Sequence, residues 1–139
     1  MNTRQHNLKN MRPEITSATI HDAMSNDERF QNLILRPIIK LQNDLFIEVF
    51  KNYIVKHKLM FYNLPIEKRL EYIESALNKD VKFRNSLKGM IIGLFTVEEY
   101  AIYIQNSSAI NKRMMQIVKE RLISNVQLFN QPEEVLKAV

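Results

Sequence analysis

Side chains able to do chemistry are few in this sequence and poorly placed for catalysis. The three histidines are His6, His21 and His57. Two fall in the first 25 residues with no partner at helical i, i+4 spacing. His57 stands between Lys56 and Lys58, where two ammonium groups repel any metal cation. There is no cysteine, which excludes disulfides, thiolate zinc sites, haem attachment through CxxCH and a thiol nucleophile. No HExxH and no nucleophile elbow occurs. Glu67, Glu71 and Glu74 share one helical face, but a bundle metal centre requires inward Glu-x-x-His pairs and none is present. Those glutamates lie opposite Ile66, Leu70 and Ile73, so they read as solvated charge.

Basic residues are the next candidates, since the chain carries 20 Lys and Arg against 15 Asp and Glu, a net +5. Arg36, Lys40, Lys51 and Lys58 project within about 60° of one another on a regular helix. Asp44 and Glu48 lie beside them and pair with Lys40 and Lys51 at i, i+4 and i, i+3 spacing. A mixed-sign stripe of this kind reads as a solvated face, because phosphate tracking requires near-uniform positive charge. The segment from Thr96 to Leu122 resembles a helix-turn-helix DNA reader. The resemblance implies that Asn111, Lys112 and Arg113 enter the major groove and that Lys119 or Arg121 meets phosphate. The turn lacks glycine, and Asn106 and Asn111 stand where such readers place apolar packing residues. Nucleic-acid binding is therefore the alternative reading and not the first.

Glycine is scarce. Only Gly89 and Gly93 occur, where average usage supplies roughly ten. Glycine-rich phosphate loops and runs of tight hairpins are thereby excluded. Both glycines lie in one apolar segment, four residues apart, and each costs about 1 kcal/mol against alanine within a helix. With Ser86 they form a small-residue strip that lets another helix backbone approach closely, as GxxxG pairs do. Ser86, Gly89 and Gly93 are the expected helix-packing or interface residues. Seven methionines and five tyrosines add side chains favoured at adaptable contact surfaces.

The elements that position these residues are helices. Ser25 and Glu28 have capping-box spacing and open a short helix to about Leu35. Pro37 is a first-turn proline for a long, centrally placed helix to about Leu59, with Ile38, Leu41, Leu45, Phe46, Val49 and Phe50 on one broad face. Pro65 opens a third helix to about Leu77, and a fourth runs from Val81 to Phe95. Thr96 and Glu99 form a second capping box for a helix to about Gln105. Ser107 or Ser108 caps a final helix ending near Phe129. No window alternates as a strand does. The expected fold is all-α, a compact orthogonal or bundle-like domain of five or six helices over residues 26–129. An extended N-terminal arm covers 1–25 and a short tail 130–139. The longest apolar run, Gly89 to Phe95, is far short of the roughly 20 residues a bilayer requires. With no apolar h-region near the start, the expected location is cytoplasmic.

Three stretches, LRPIIKLQNDLFIEVFKNYI, FRNSLKGMIIGLFTVEEY and IQNSSAINKRMM, resemble a group of small all-helical bacterial proteins without established function, some carrying a glyoxalase label. A glyoxalase fold implies paired βαβββ units with His and Glu ligands on strands, and neither the strands nor the ligands occur in this sequence. The functional expectation is a non-catalytic, self-associating interaction module, a homodimer, with no cofactor and no metal. A DNA-binding regulator is the alternative, and an enzyme with a dispersed site the third reading.

Overall fold

The computed structural model describes residues 3–15 and 20–130; the expected tail lies, from Gln131 onward, outside the described residues. The fold is all-α. Its helices are α1 (Thr3–Met11), α2 (Asn26–Phe30), α3 (Arg36–Leu41), α4 (Asn43–Lys56), α5 (Ile66–Lys79), α6 (Val81–Ile92), α7 (Val97–Tyr103) and α8 (Ser107–Ser124). A π-helical turn, Gln31–Leu35, joins α2 to α3, and 3₁₀ turns occupy Met60–Asn63 and Val126–Leu128.

Both expected caps lie at helix starts, and the second is a full capping box. The Ser25 hydroxyl accepts the Glu28 amide, and Thr96 and Glu99 satisfy each other's backbone reciprocally. The long second helix expected from Pro37 is instead two segments that meet at Gln42 (φ −89°, ψ 2°). Leu41 and Leu45, on either side of this junction, are 37% and 46% exposed, although periodicity assigns them to the core face. Helix α8 runs through the middle, packed against the π turn and against α3, α4, α5 and α6. Around it the fully buried Phe50 gathers rings from several elements, with Phe61, Tyr72, Phe83 and Phe129 all within 6.2 Å between centroids.

The N-terminal arm departs most from expectation. Helix α1 occupies residues read as extended, and no residue of it is buried. Its sequence carries no apolar stripe to reveal it, and its side chains tie it down instead. Arg4 donates to the Gly93 carbonyl (3.0 Å) and Gln5 to Glu98 (3.3 Å). Just beyond α1, Arg12 grips Glu99 with two bonds of 2.6 and 2.7 Å and reaches the Leu94 carbonyl at 2.9 Å. Both side chains of this pair are under a tenth exposed. Burial alone would push the Glu99 carboxyl up, but the Arg12 hydrogen bonds, the Thr96 amide and the Arg12 charge outweigh it and hold Glu99 below the usual range.

Breaking a buried pair on one side strands a charge, at about 3–5 kcal/mol. Arg12→Met should therefore lower the urea midpoint by that equivalent. Arg12→Met/Glu99→Gln should recover part of it, since a neutral amide still accepts from Thr96. Because folding depresses the Glu99 pKa, the pair's contribution is complete above the unfolded value of about 4.3. It is lost as pH falls through the folded value. Acid titration of stability should accordingly be steeper for the wild type than for the double variant.

Candidate functional site

Three surface features stand apart from the rest of the molecule. The first is an open basin of about 900 Å³ at the corner between α5 and α6, reached also by the end of α4. Lys56, Lys58, Lys79 and Lys82 line it, above Tyr53, His57 and Tyr72. Asp80 is the sole carboxylate among the residues lining it, and it is committed as the N-cap of α6. Its Oδ1 accepts the Phe83 amide at 3.1 Å and its Oδ2 the Tyr53 hydroxyl at 3.0 Å, with His57 Nε2 3.9 Å away. The Phe83 amide first, and then Tyr53, hold the Asp80 carboxyl below its ordinary range. Burial first, and then Asp80, push the Tyr53 phenol up, so it remains a donor. The His57 ring stacks on Tyr53 at 3.9 Å and is otherwise exposed.

Lys58 reaches this basin through an uncommon backbone. Helix α4 ends with the Leu59 amide on the Ile54 carbonyl and the Lys58 amide on the Val55 carbonyl, the pair of bonds that defines a Schellman ending. Lys58 occupies the position where glycine is usual, at φ 62°, and Leu59 follows at φ 60°. A side chain in that region costs about 1–2 kcal/mol.

The second feature is a basin of about 530 Å³ on the other side of α6, lined by Asn78, Arg84, Lys88, Ser108, Asn111, Lys112, Gln116 and Lys119 among others. Among the described residues, only Lys119 of its basic side chains has a carboxylate within ion-pairing reach, Glu74 at 3.8 Å. The third is apolar. Phe30, Leu33, Ile34, Ile102 and Ile110 line a groove of about 570 Å³ between the α2 region and α7. Beside it α7 turns Val97, Tyr100, Ile102 and Ile104 outward at 72%, 47%, 51% and 57% exposure.

The residues singled out in the sequence are only partly brought together. Asn111 and Lys112 line the second basin, with the Asn111 Oδ1 already accepting the Tyr103 hydroxyl at 2.7 Å. Arg113 turns away and donates to Gln31 at 3.0 Å. Of the three, the structure brings Asn111 and Lys112 to one surface and directs Arg113 to another. The stripe Arg36, Lys40, Lys51 and Lys58 is broken at Gln42, and Lys58 lies beyond α4. Two of the three α5 glutamates are paired, Glu71 with Lys68 and Glu74 with Lys119. Ser86, Gly89 and Gly93 are all exposed. A Cβ on Gly89 would meet nothing within 4 Å, whereas one on Gly93 would press the Gly89 carbonyl at 3.0 Å. No close helix crossing uses this strip among the described residues. Nor do the described methionines share a surface: Met114 and Met115 are buried while Met11 and Met60 are exposed.

Sequence reasoning missed Lys79, Lys82, Arg84 and Lys88 as a group. The signal was present, since the eleven residues from Asn78 to Lys88 hold four basic residues and one acid. Reading charge along single helices hid it, because the cluster wraps a corner between two. Among the described residues no three of His, Asp and Glu converge as metal ligands, and no helix is long and apolar enough to cross a membrane. The chain matches no protein-family model, no curated protein and no solved structure.

Two substitutions test the local backbone reading. Gly89→Ala places a methyl in open space on a helix and should stabilise by about 1 kcal/mol. Lys58→Gly relieves the left-handed strain and should gain a similar ~1 kcal/mol. In a thermal melt each should raise Tm by roughly 3 °C. A lower Tm for Gly89→Ala would show that the strip is covered.

Proposed function

We propose that this chain is a non-catalytic interaction module that pairs with a second copy of itself through the outer face of α7. The observation that carries this reading is the composition of that helix. Val97, Ala101 and Ile104 cap its solvent side, Ile102 and Tyr100 flank them, and Glu98 is the one charge exposed on it. A helix apolar on nearly every side belongs in an interior, and an exposed apolar patch rimmed by polar groups marks an interaction surface.

A second copy suits the surface better than another occupant for two reasons. Ridge and groove lie side by side on one chain, so a two-fold axis lays each α7 ridge in its partner's groove between Leu33 and Ile102. The groove margins carry both signs, Asp27 and Arg29 at one end and Lys9 and Glu98 at the other. Margins of mixed sign carry no net like-charge repulsion against a second copy. Two copies meeting at the lysine-lined basins would bring like charges together.

The Ser86, Gly89 and Gly93 strip is the competing contact surface. Arm exchange between subunits has less support, because Arg12 anchors the arm on its own chain. Light scattering coupled to size exclusion should give a dimer mass for the wild type and a monomer mass for Val97→Lys/Ile104→Lys, with unchanged circular dichroism. Gly89→Leu should remain dimeric. A dimer that survives the α7 variant and dissociates in Gly89→Leu would transfer the interface to α6, and a monomeric wild type at high concentration would end the proposal.

A further inference from the structure

The basic corner is independent of the α7 surface and is used by nothing described so far. We infer that it binds single-stranded nucleic acid, with the lysine rim on phosphates and the His57–Tyr53 stack receiving a base.

Charge comes first. Among the described residues no carboxylate lies within ion-pairing reach of Lys56, Lys58, Lys79 or Lys82, all of them exposed. Asp80, the one acid of that basin, is spent on the Phe83 amide and the Tyr53 hydroxyl. Arg84, Lys88 and Lys112 continue the same sign in the second basin. The stretch 78–84 divides between the two basins, Lys79 to Lys82 lining the first and Asn78 and Arg84 the second, on opposite sides of the start of α6. A backbone laid over that corner meets positive charge on either side of it.

Shape and chemistry then choose the polyanion. Single strands are held by a positive groove combined with aromatic faces, and this combination tolerates any base sequence. Here an exposed imidazole, supported from behind by Tyr53 at 3.9 Å and through it by Phe83 at 4.2 Å, offers such a face within the lysine rim. Amide side chains at Asn78, Asn111 and Gln116 supply donors and acceptors for base edges in the second basin. A duplex reader would need a protruding element to enter the major groove; these sites are concave.

Lys58 supplies an independent argument. The chain holds a lysine in a left-handed conformation where glycine would relieve strain, and strain retained at a surface position points to use of the side chain. A purely structural helix ending would not require the ammonium group.

The test is fluorescence anisotropy with fluorescein-labelled oligo-dT and oligo-rU of about 12 nucleotides. If four phosphates are neutralised, the log–log salt slope should be about −3, and affinity should fall roughly fifty-fold between about 50 and 200 mM NaCl. Lys79→Glu/Lys82→Glu should weaken binding about tenfold or more. The charge-matched control Lys40→Glu/Lys68→Glu should stay within about twofold. His57→Ala should lose about fivefold through the stack. Lys58→Gly should raise Tm yet weaken binding about threefold, a split that a structural role alone does not produce. The inference is overturned by any of four results. These are no binding at low salt, equal loss in the control, tighter binding to duplex of the same sequence, or binding to phosphatidylserine vesicles without binding to oligonucleotide.

Discussion

The buried Arg12–Glu99 pair is the constraint on which the arrangement of this chain turns. Glu99 does two tasks with one carboxylate. It closes the capping box with the Thr96 amide at 2.8 Å, and it receives the Arg12 fork. Arg12 in turn bonds the Leu94 carbonyl, in the turn that ends α6. The exit of α1 is thus fastened to the α6–α7 junction, more than 80 residues away, at one charge pair. The Arg12 Nε is buried there without a partner among the described residues, so the node trades one unsatisfied donor for a bidentate, charge-assisted geometry. Tyr103 fixes the other end of α7, its ring against Phe95 at 5.6 Å and its hydroxyl donating to Asn111 at 2.7 Å. The helix buries Glu99 and Tyr103 and leaves its apolar remainder outside. Its exposed ridge is a stable feature because the pair and Tyr103, and not burial of that ridge, set the helix in place.

A second link connects the core to the basic corner. Phe50 lies at the centre of the aromatic cluster, and Tyr53, one turn on, stacks near it at 5.8 Å while sending its hydroxyl to Asp80. The same Asp80 starts α6. One side of the first basin is therefore the outer edge of the aromatic core. The basin's rim is a set of long, solvated lysine side chains. The two proposed contacts divide along this line. The α7 face is apolar with balanced margins and suits a copy of itself, whereas the basins are predominantly basic and repel one. They lie on different elements, so neither contact requires the other to be vacated.

Much of the helical plan could be read from punctuation. Ser25 with Glu28 and Thr96 with Glu99 declare helix starts through bonds only three residues long, and local interactions of that kind survive translation from sequence to structure. Pro37 lies in the first turn of α3, while Pro65 is the residue just before α5. What could not be read was set by distant partners. Helix α1 has no apolar period, and residues near position 95 hold it. At the break at Gln42, the Gln42 side chain donates to the Met90 carbonyl at 3.0 Å, a partner 48 residues away. Asn111, Lys112 and Arg113 look like one cluster in sequence, but neighbours on other helices, Tyr103 and Gln31, divide them. The basic corner failed to register for the converse reason, since its members are gathered only when α5 turns into α6.

The glycines sharpen this contrast. A chain with two glycines would be expected to use them where other residues strain. This one instead has Gly89 in open space on the surface of α6 and assigns the left-handed turn after α4 to Lys58 and Leu59. Each choice is locally unfavourable by about 1 kcal/mol. Local rules broken without a packing reason are expected where a surface is used for something other than folding. Gly89 keeps a helix face clear, and Lys58 holds an ammonium group at the mouth of a basin whose one acid is already committed. Both departures lie outside the hydrophobic core and cost the fold little. The α4–α6 side of the molecule, more than its interior, is therefore where this sequence departs from what stability alone would select.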